Sequence, residues 1–238
     1  MTTLEEKSAT FAQEVRDTLV GVLPGDHPIV SVRLEEQSER YVVRPPGDEA
    51  RHWRVPVYVG GEQLAAMSVV IYLALDRTGS YLKTVRSDIG VHSTLDRTAL
   101  LRLEYRADMH TDPIAHWQMH AERGAFSHLL GRAHAVRPEQ VKKPHDLSSL
   151  HLPVGGERFR PCLEDVLQFL VVDCGVDAHN GWQSVVEAGR ERWRLRQLGS
   201  AVRDAPDKAA AVLAELGWNV ERPALSLVPP KAGALTKW

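Results

Sequence analysis

The spacing of apolar side chains changes along this chain, and the change limits the folds open to it. From about residue 28 to 106 they recur every second position. Val30, Val32 and Leu34 alternate with Ser31, Arg33 and Glu35, and Val55, Val57 and Val59 repeat the pattern. Period two is the mark of half-buried strands. Beyond residue 157 the period becomes three to four: Leu163, Val166, Leu167, Leu170 and Val171 line one helical stripe. A run of strands followed by a run of helices predicts an α+β architecture rather than a doubly wound one.

An amphipathic helix is expected over residues 3 to 23. Thr3 and Glu6 have capping-box spacing, Leu4, Phe11, Val15, Leu19 and Val22 share a face, and Pro24-Gly25 stops it. The sheet is expected to be an antiparallel meander of six to seven strands. Tyr41–Arg44, Val55–Val59, Leu64–Leu75, Tyr81–Arg86 and Ala99–Arg106 belong to it, with a hairpin turn at Gly60-Gly61. Leu64–Leu75 is apolar on both faces, which suits a central strand. A C-terminal three-helix segment should pack on the sheet. Pro161 occupies the first position of its first helix and Gly175 ends it; the others span Trp182–Arg203 and Asp207–Leu216. The expected division is 1–156 for the N-terminal helix plus sheet, 157–222 for helices of the same folding unit, and 223–238 for a flexible tail.

With 238 residues and a formal net charge of −2, the chain has no global attraction to nucleic acid or anionic lipid. Its start lacks the apolar core of a signal peptide, and its longest apolar run is too short to span a bilayer as a helix. Cys162 and Cys174 fall on one expected helix, out of disulfide reach. A cytoplasmic protein with no membrane partner is the resulting expectation. Walker-type loops, dinucleotide fingerprints and the G-x-S-x-G elbow are absent from the sequence. No cofactor is expected, and a metal is not expected at the histidines.

Seven of the eleven histidines lie between His110 and His151, and imidazole is the side chain best suited to proton transfer near neutral pH. In Ala115–Glu122, a strand would put His116, Gln118, His120 and Glu122 on one face and Trp117, Met119 and Ala121 on the other. On a helix, His116 and His120 would instead be neighbours; the strand reading is preferred. Residues four apart on a strand are about 13 Å apart, too far to share a metal ion. His151 and Arg158 precede the helix at Pro161. If the fold gathers His116, His120, His151 and Arg158, they would suit a phosphodiester: one imidazole as base, one as acid, and the guanidinium on the developing charge. His110, His128 and His134 read as loop or surface residues.

Two other features bear on partners. Arg190 and Arg194, on the helix at Trp182–Arg203, and Lys142 and Lys143, ending a basic loop, are candidate contacts to nucleic acid or to a partner protein. The plainer reading of that helix is one packed between two layers with its arginine stems along the edges. Trp53, Tyr58, Tyr72 and Trp117 could also line a small-molecule cup on a curved sheet.

The order Leu101-Arg102-Leu103-Glu104-Tyr105, the His116–His120 strand, His151-Leu152-Pro153 and Arg158-Phe159-Arg160-Pro161 resembles uncharacterised bacterial proteins encoded beside restriction and toxin–antitoxin operons. The resemblance covers about a third of the chain and assigns no catalytic residue. It implies an interaction or accessory module of a nucleic-acid-linked defence or toxin–antitoxin system. Its partner would be another protein or a second copy, with nucleic acid a further candidate. The histidine-dependent nuclease and the β cup are the alternatives.

Overall fold

The computed structural model describes residues 2–35, 39–49, 53–95, 99–110, 112–120, 131, 134–135, 138–139, 142–143, 146, 152–154, 157–221 and 230–236. It is an α+β protein: one antiparallel sheet with, among the described residues, its long helices packed on one face.

Helix α1, Leu4–Val22, begins with the expected capping box. The Thr3 side chain accepts from the Glu6 N–H, and the Thr3 N–H donates to the Glu6 carboxylate. Ala12, Val15, Leu19 and Val22 are buried on its inner face. The strands are β1 Val30–Arg33, β2 Tyr41–Arg44, β3 Val55–Val59, β4 Glu62–Leu75, β5 Leu82–Ser93, β6 Ala99–Arg106, β7 Ala115–Met119 and β8 Leu152–Pro153. Their order is β1-β2-β4-β5-β6-β7-β8, and β3 also pairs with β4. Thus one edge of the long β4 is shared. β3 pairs with its first half, up to Met67, and β2 with Ile71 to Leu73. Gly60 and Gly61, both at positive φ, make the β3–β4 turn, and the Asp177 carboxylate accepts both of their N–H groups at 2.9 and 2.7 Å.

Helices α2 Leu163–Val172, α3 Trp182–Asp204 and α4 Pro206–Glu215 follow. A continuous core joins Val69, Ile71, Ile89 and Leu103 of the sheet to Leu19, Leu167 and Val186 of the helices. Sheet and helices are therefore one packed unit. The start of α2 differs from expectation: Cys162 is the cap, so Pro161 lies just before the helix rather than in its first turn. Part of the expected loose tail is docked. Ala232–Leu235 form a 3-10 turn, the Lys231 N–H donates to the Asp204 carbonyl at 3.1 Å, and Ala234 is buried. Burial and the capture of a free helix-end carbonyl hold these residues in place.

Two glycine contacts set the helix packing. A Cβ on Gly21 would lie 3.0 Å from both methyls of Val185, and one on Gly189 would lie 2.9 Å from Cγ of the buried Glu164. Gly189 thus lets α3 approach α2 closely. Gly189→Leu should destabilise the protein by about 3 kcal/mol through overpacking. Urea unfolding would check this, and an unchanged midpoint would mean α3 does not press on Glu164.

Candidate functional site

Residues 115–119 form a strand, and the strand alternation decides which histidines can meet. Leu103 pairs with Trp117 and Glu104 with His116. Leu103 and Trp117 point to the helix side, where Trp117 packs on the core. His116, Gln118 and His120 point to the opposite face, on which no helix packs among the described residues. Met119 shares the Trp117 side but is 51 % exposed rather than buried. It lies beyond the two residues of β7 that β8 covers.

That face of the sheet is polar. Across it run Ser68 of β4, Arg86, Asp88 and His92 of β5, and Arg102, Glu104 and Arg106 of β6, together with the β7 histidines. His116 is buried on this face, at 1 % exposed. Its Nδ1–H donates to the Pro113 carbonyl at 2.7 Å, and its Nε2 faces the Glu104 carboxylate at 3.6 Å. Burial alone would lower its pKa. The nearby carboxylate and the carbonyl together outweigh that and raise it above 6.5. Glu104 is correspondingly held below its ordinary value, chiefly by His116. When protonated, His116 is the cationic half of an internal ion pair with Glu104.

His120 and His92 behave oppositely. Burial, then the charge of Arg102, lowers the pKa of His120, while the carboxylates of Asp146 and Glu104 oppose the shift. Burial, reinforced by Arg54, Arg102 and His120, lowers that of His92 to about 4. His92 Nε2 lies 3.2 Å from the Ser68 hydroxyl.

Arg158 lies on the other side of the sheet. Its Nε donates to Asp204 at 2.5 Å, and its Nη2 is 3.1 Å from the Glu157 carboxylate. The adjacent Arg160 stacks on Tyr105 at 3.8 Å and on Trp193 at 4.8 Å. Tyr105 and Glu104 are consecutive on β6, so Arg158 and His116 belong to opposite faces. His151, with His128 and His145, lies outside the described residues. The phosphodiester arrangement of His116, His120 and Arg158 is thus not formed, because the alternation of β6 separates its members. Among the described residues, no group of three His, Cys, Asp or Glu is placed to hold a metal ion.

The remaining candidates divide in a similar way. Arg190 ties α3 to α2, donating to Asp165 at 2.8 Å and to Gln168 at 2.5 Å. Its guanidinium thus serves the packing of the two helices. Arg194, Lys142 and Lys143 are exposed, with Lys143 3.9 Å from Asp146. A cleft of about 1400 Å³ between α1, the β4–β5 turn and α3 is rich in cations. Several are neutralised or stacked inside the protein: Arg196 by Glu14 at 2.6 Å, Lys231 by Glu157 at 3.0 Å, and Arg203 over Tyr81 at 4.1 Å. The aromatic cup does not exist as expected. Trp117 points toward the helices, Tyr72 lies on the other face under Arg86, and Trp53 stacks with Arg44 while donating to the Gly47 carbonyl.

The sequence reading missed Arg54, Ser68, His92 and Arg102. It ended β5 at Arg86, although Ile89 and Val91, alternating with Asp88, Gly90 and His92, carry the same period-two signal.

Scans against protein-family models, curated proteins and solved structures return no match. No helix among the described residues is long and apolar enough to cross a membrane.

Proposed function

We propose that the protein works as an interaction module, docking through the outer face of α3 and α4. The observation that carries this reading is an apolar surface on which nothing packs among the described residues. Leu195 and Leu198 of α3 are 59 % and 56 % exposed, and Val202 continues their line at helical spacing. Helix α4 has no buried residue, although Val212 and Leu213 lie on it and Leu216 and Trp218 follow it; Trp218 is 67 % exposed. Monomeric proteins rarely leave a contiguous apolar patch of this kind uncovered. A ten-residue helix is also marginal without packing. The two-layer burial expected for α3 is thus half fulfilled: Val186 and Gly189 face the core, and the other face is open.

The occupant we assign is a second copy of the chain. The outward line of α3 begins with the acidic Glu187 and Glu191, continues through the three apolar residues, and is followed on α4 by Lys208, all exposed. Antiparallel docking of two such faces sets the acidic end of one against Lys208 of the other, and a two-fold interface is self-complementary by construction. The resemblance to proteins beside restriction and toxin–antitoxin operons suggests an accessory role in a nucleic-acid-linked system.

Light scattering and sedimentation test the reading. The wild type should be a dimer at micromolar concentration. L195K/L198K should be a monomer with an unchanged circular dichroism spectrum. A wild-type protein that stays monomeric at tens of micromolar would defeat the proposal.

A further inference from the structure

The cleft between α1, the β4–β5 turn and α3 carries positive charge that the docking surface does not explain. Twice as many Lys and Arg as Asp and Glu side chains line its volume of about 1400 Å³. The carboxylates there are already engaged. Glu14 pairs with Arg196, Glu157 with Lys231 and Arg158, and Asp204 with Arg158. Asp76 accepts from the N–H groups of Thr78, Ser80 and Tyr81 in its own turn. Among the described residues, no carboxylate comes within ion-pair distance of Arg160 or Arg203, and both line the cleft.

Arg160 is 6 % exposed, against the rings of Tyr105 and Trp193. One of its N–H groups donates to the Glu157 carbonyl, and the rest have no partner in the described protein. Burial presses its pKa down to about 10, so it stays a cation at neutral pH. A buried cation needs a counter-charge, and the two rings supply only part of one. Arg203 folds back along α3. It stacks over Tyr81 and donates to the Ser200 hydroxyl at 3.0 Å, and a Cβ on Gly199 would lie 3.6 Å from its Nη1. Its guanidinium therefore sits near the level of Gly199, six residues or about 9 Å along the axis from Trp193. Between those levels the wall is polar. Trp193 Nε1 and Gln197 Oε1, one turn apart, are buried without a hydrogen-bond partner, and both residues line the cleft. Buried polar atoms are normally satisfied.

We infer that this cleft binds an elongated, hydroxylated dianion, with one oxyanion group on Arg160 and the other on Arg203.

The guanidinium groups supply the two ends of the site, and the indole N–H and the amide oxygen meet hydroxyl groups between them. Guanidinium groups take phosphate and carboxylate alike through paired N–H donors, so either group fits the ends.

Calorimetric titration of the full chain at constant ionic strength tests the inference and names the oxyanion. The probes are fructose 1,6-bisphosphate with fructose 6-phosphate, and glucarate with gluconate. In at least one pair the two-ended member should bind about tenfold or more tightly than its one-ended counterpart, and that pair identifies the group. R160Q and R203Q should each cut this affinity to the level of the one-ended probe. Arg203 is only half-buried, so R203Q keeps the test decisive if R160Q does not fold. R192Q, an exposed position outside the cleft, should bind as the wild type does. The inference is overturned if neither two-ended probe binds more tightly than its one-ended counterpart, or if folded R203Q retains wild-type affinity. Both arginines belong to one chain, so the outcome does not depend on whether the protein dimerises.

Discussion

Replacing Glu157 with alanine should lower stability by about 3–5 kcal/mol, the cost of breaking a buried ion pair from one side. The residue is buried, yet its carboxylate is held below its ordinary pKa. Burial pushes the value up, and Lys231 and Arg158 outweigh it. Lys231 Nζ donates to both carboxylate oxygens at 3.0 and 3.1 Å, and Arg158 adds a third contact. Arg158 retains Asp204 in the variant, whereas Lys231 loses this charged partner. Lys231 also begins the docked C-terminal turn. Two readouts should therefore move together. The melting temperature should fall by about 10 °C, and limited proteolysis should remove the segment after residue 230 faster than in the wild type. E157Q keeps the shape without the charge and should fall between the two. A melting temperature for E157A within a degree of the wild type would show that the network contributes no net stability.

The second large effect is a pH-dependent loss at His116. H116A should destabilise the protein by about 2–3 kcal/mol at pH 6, where a cationic imidazole meets the Glu104 carboxylate and the Pro113 carbonyl. The folded pKa of His116 is raised above 6.5. Its contribution is then fully present below 6.5 and disappears as pH rises through the folded value. Glu104 sets the acid limit. Its folded pKa lies below 4.5, so its share is present above 4.5 and is lost as pH falls through that lowered value. Urea midpoints of wild type and H116A should thus differ most near pH 6 and converge toward pH 9. His27 and His92, whose pKa values are lowered, act the other way, losing stability as pH falls. They are present in both proteins and cancel in the difference. A gap of equal size at pH 6 and pH 9 would mean that His116 is neutral in the folded state.

Much of the architecture was legible because local physics and tertiary structure agree. Thr3 and Glu6 cap α1, Gly60-Gly61 turns the β3–β4 hairpin, and the alternation through Trp117 assigns faces as observed. Burial of His116 was not legible. It depends on Glu104, twelve residues earlier and paired only through the sheet register. The separation of Arg158 from His116 has the same origin, since one step along β6 exchanges the faces. The pairing of β2 with β4 rather than β3 was equally hidden, because the register of non-adjacent strands is set by the core that they share. Arg190 looked like a free cation because its acceptors, Asp165 and Gln168, belong to another helix.

The shared edge of β4 has a further consequence. β3 reaches only to Met67 and β2 takes over at Ile71, leaving a short seam in the ladder between two hairpins that are each fastened to the same strand but not to one another. Of the chain joining them, residues 45–49 and 53 belong to no strand of the sheet. Lengthening that connector costs little beyond loop-closure entropy. It is therefore the place where this fold can accept additional sequence while both hairpins keep their registers.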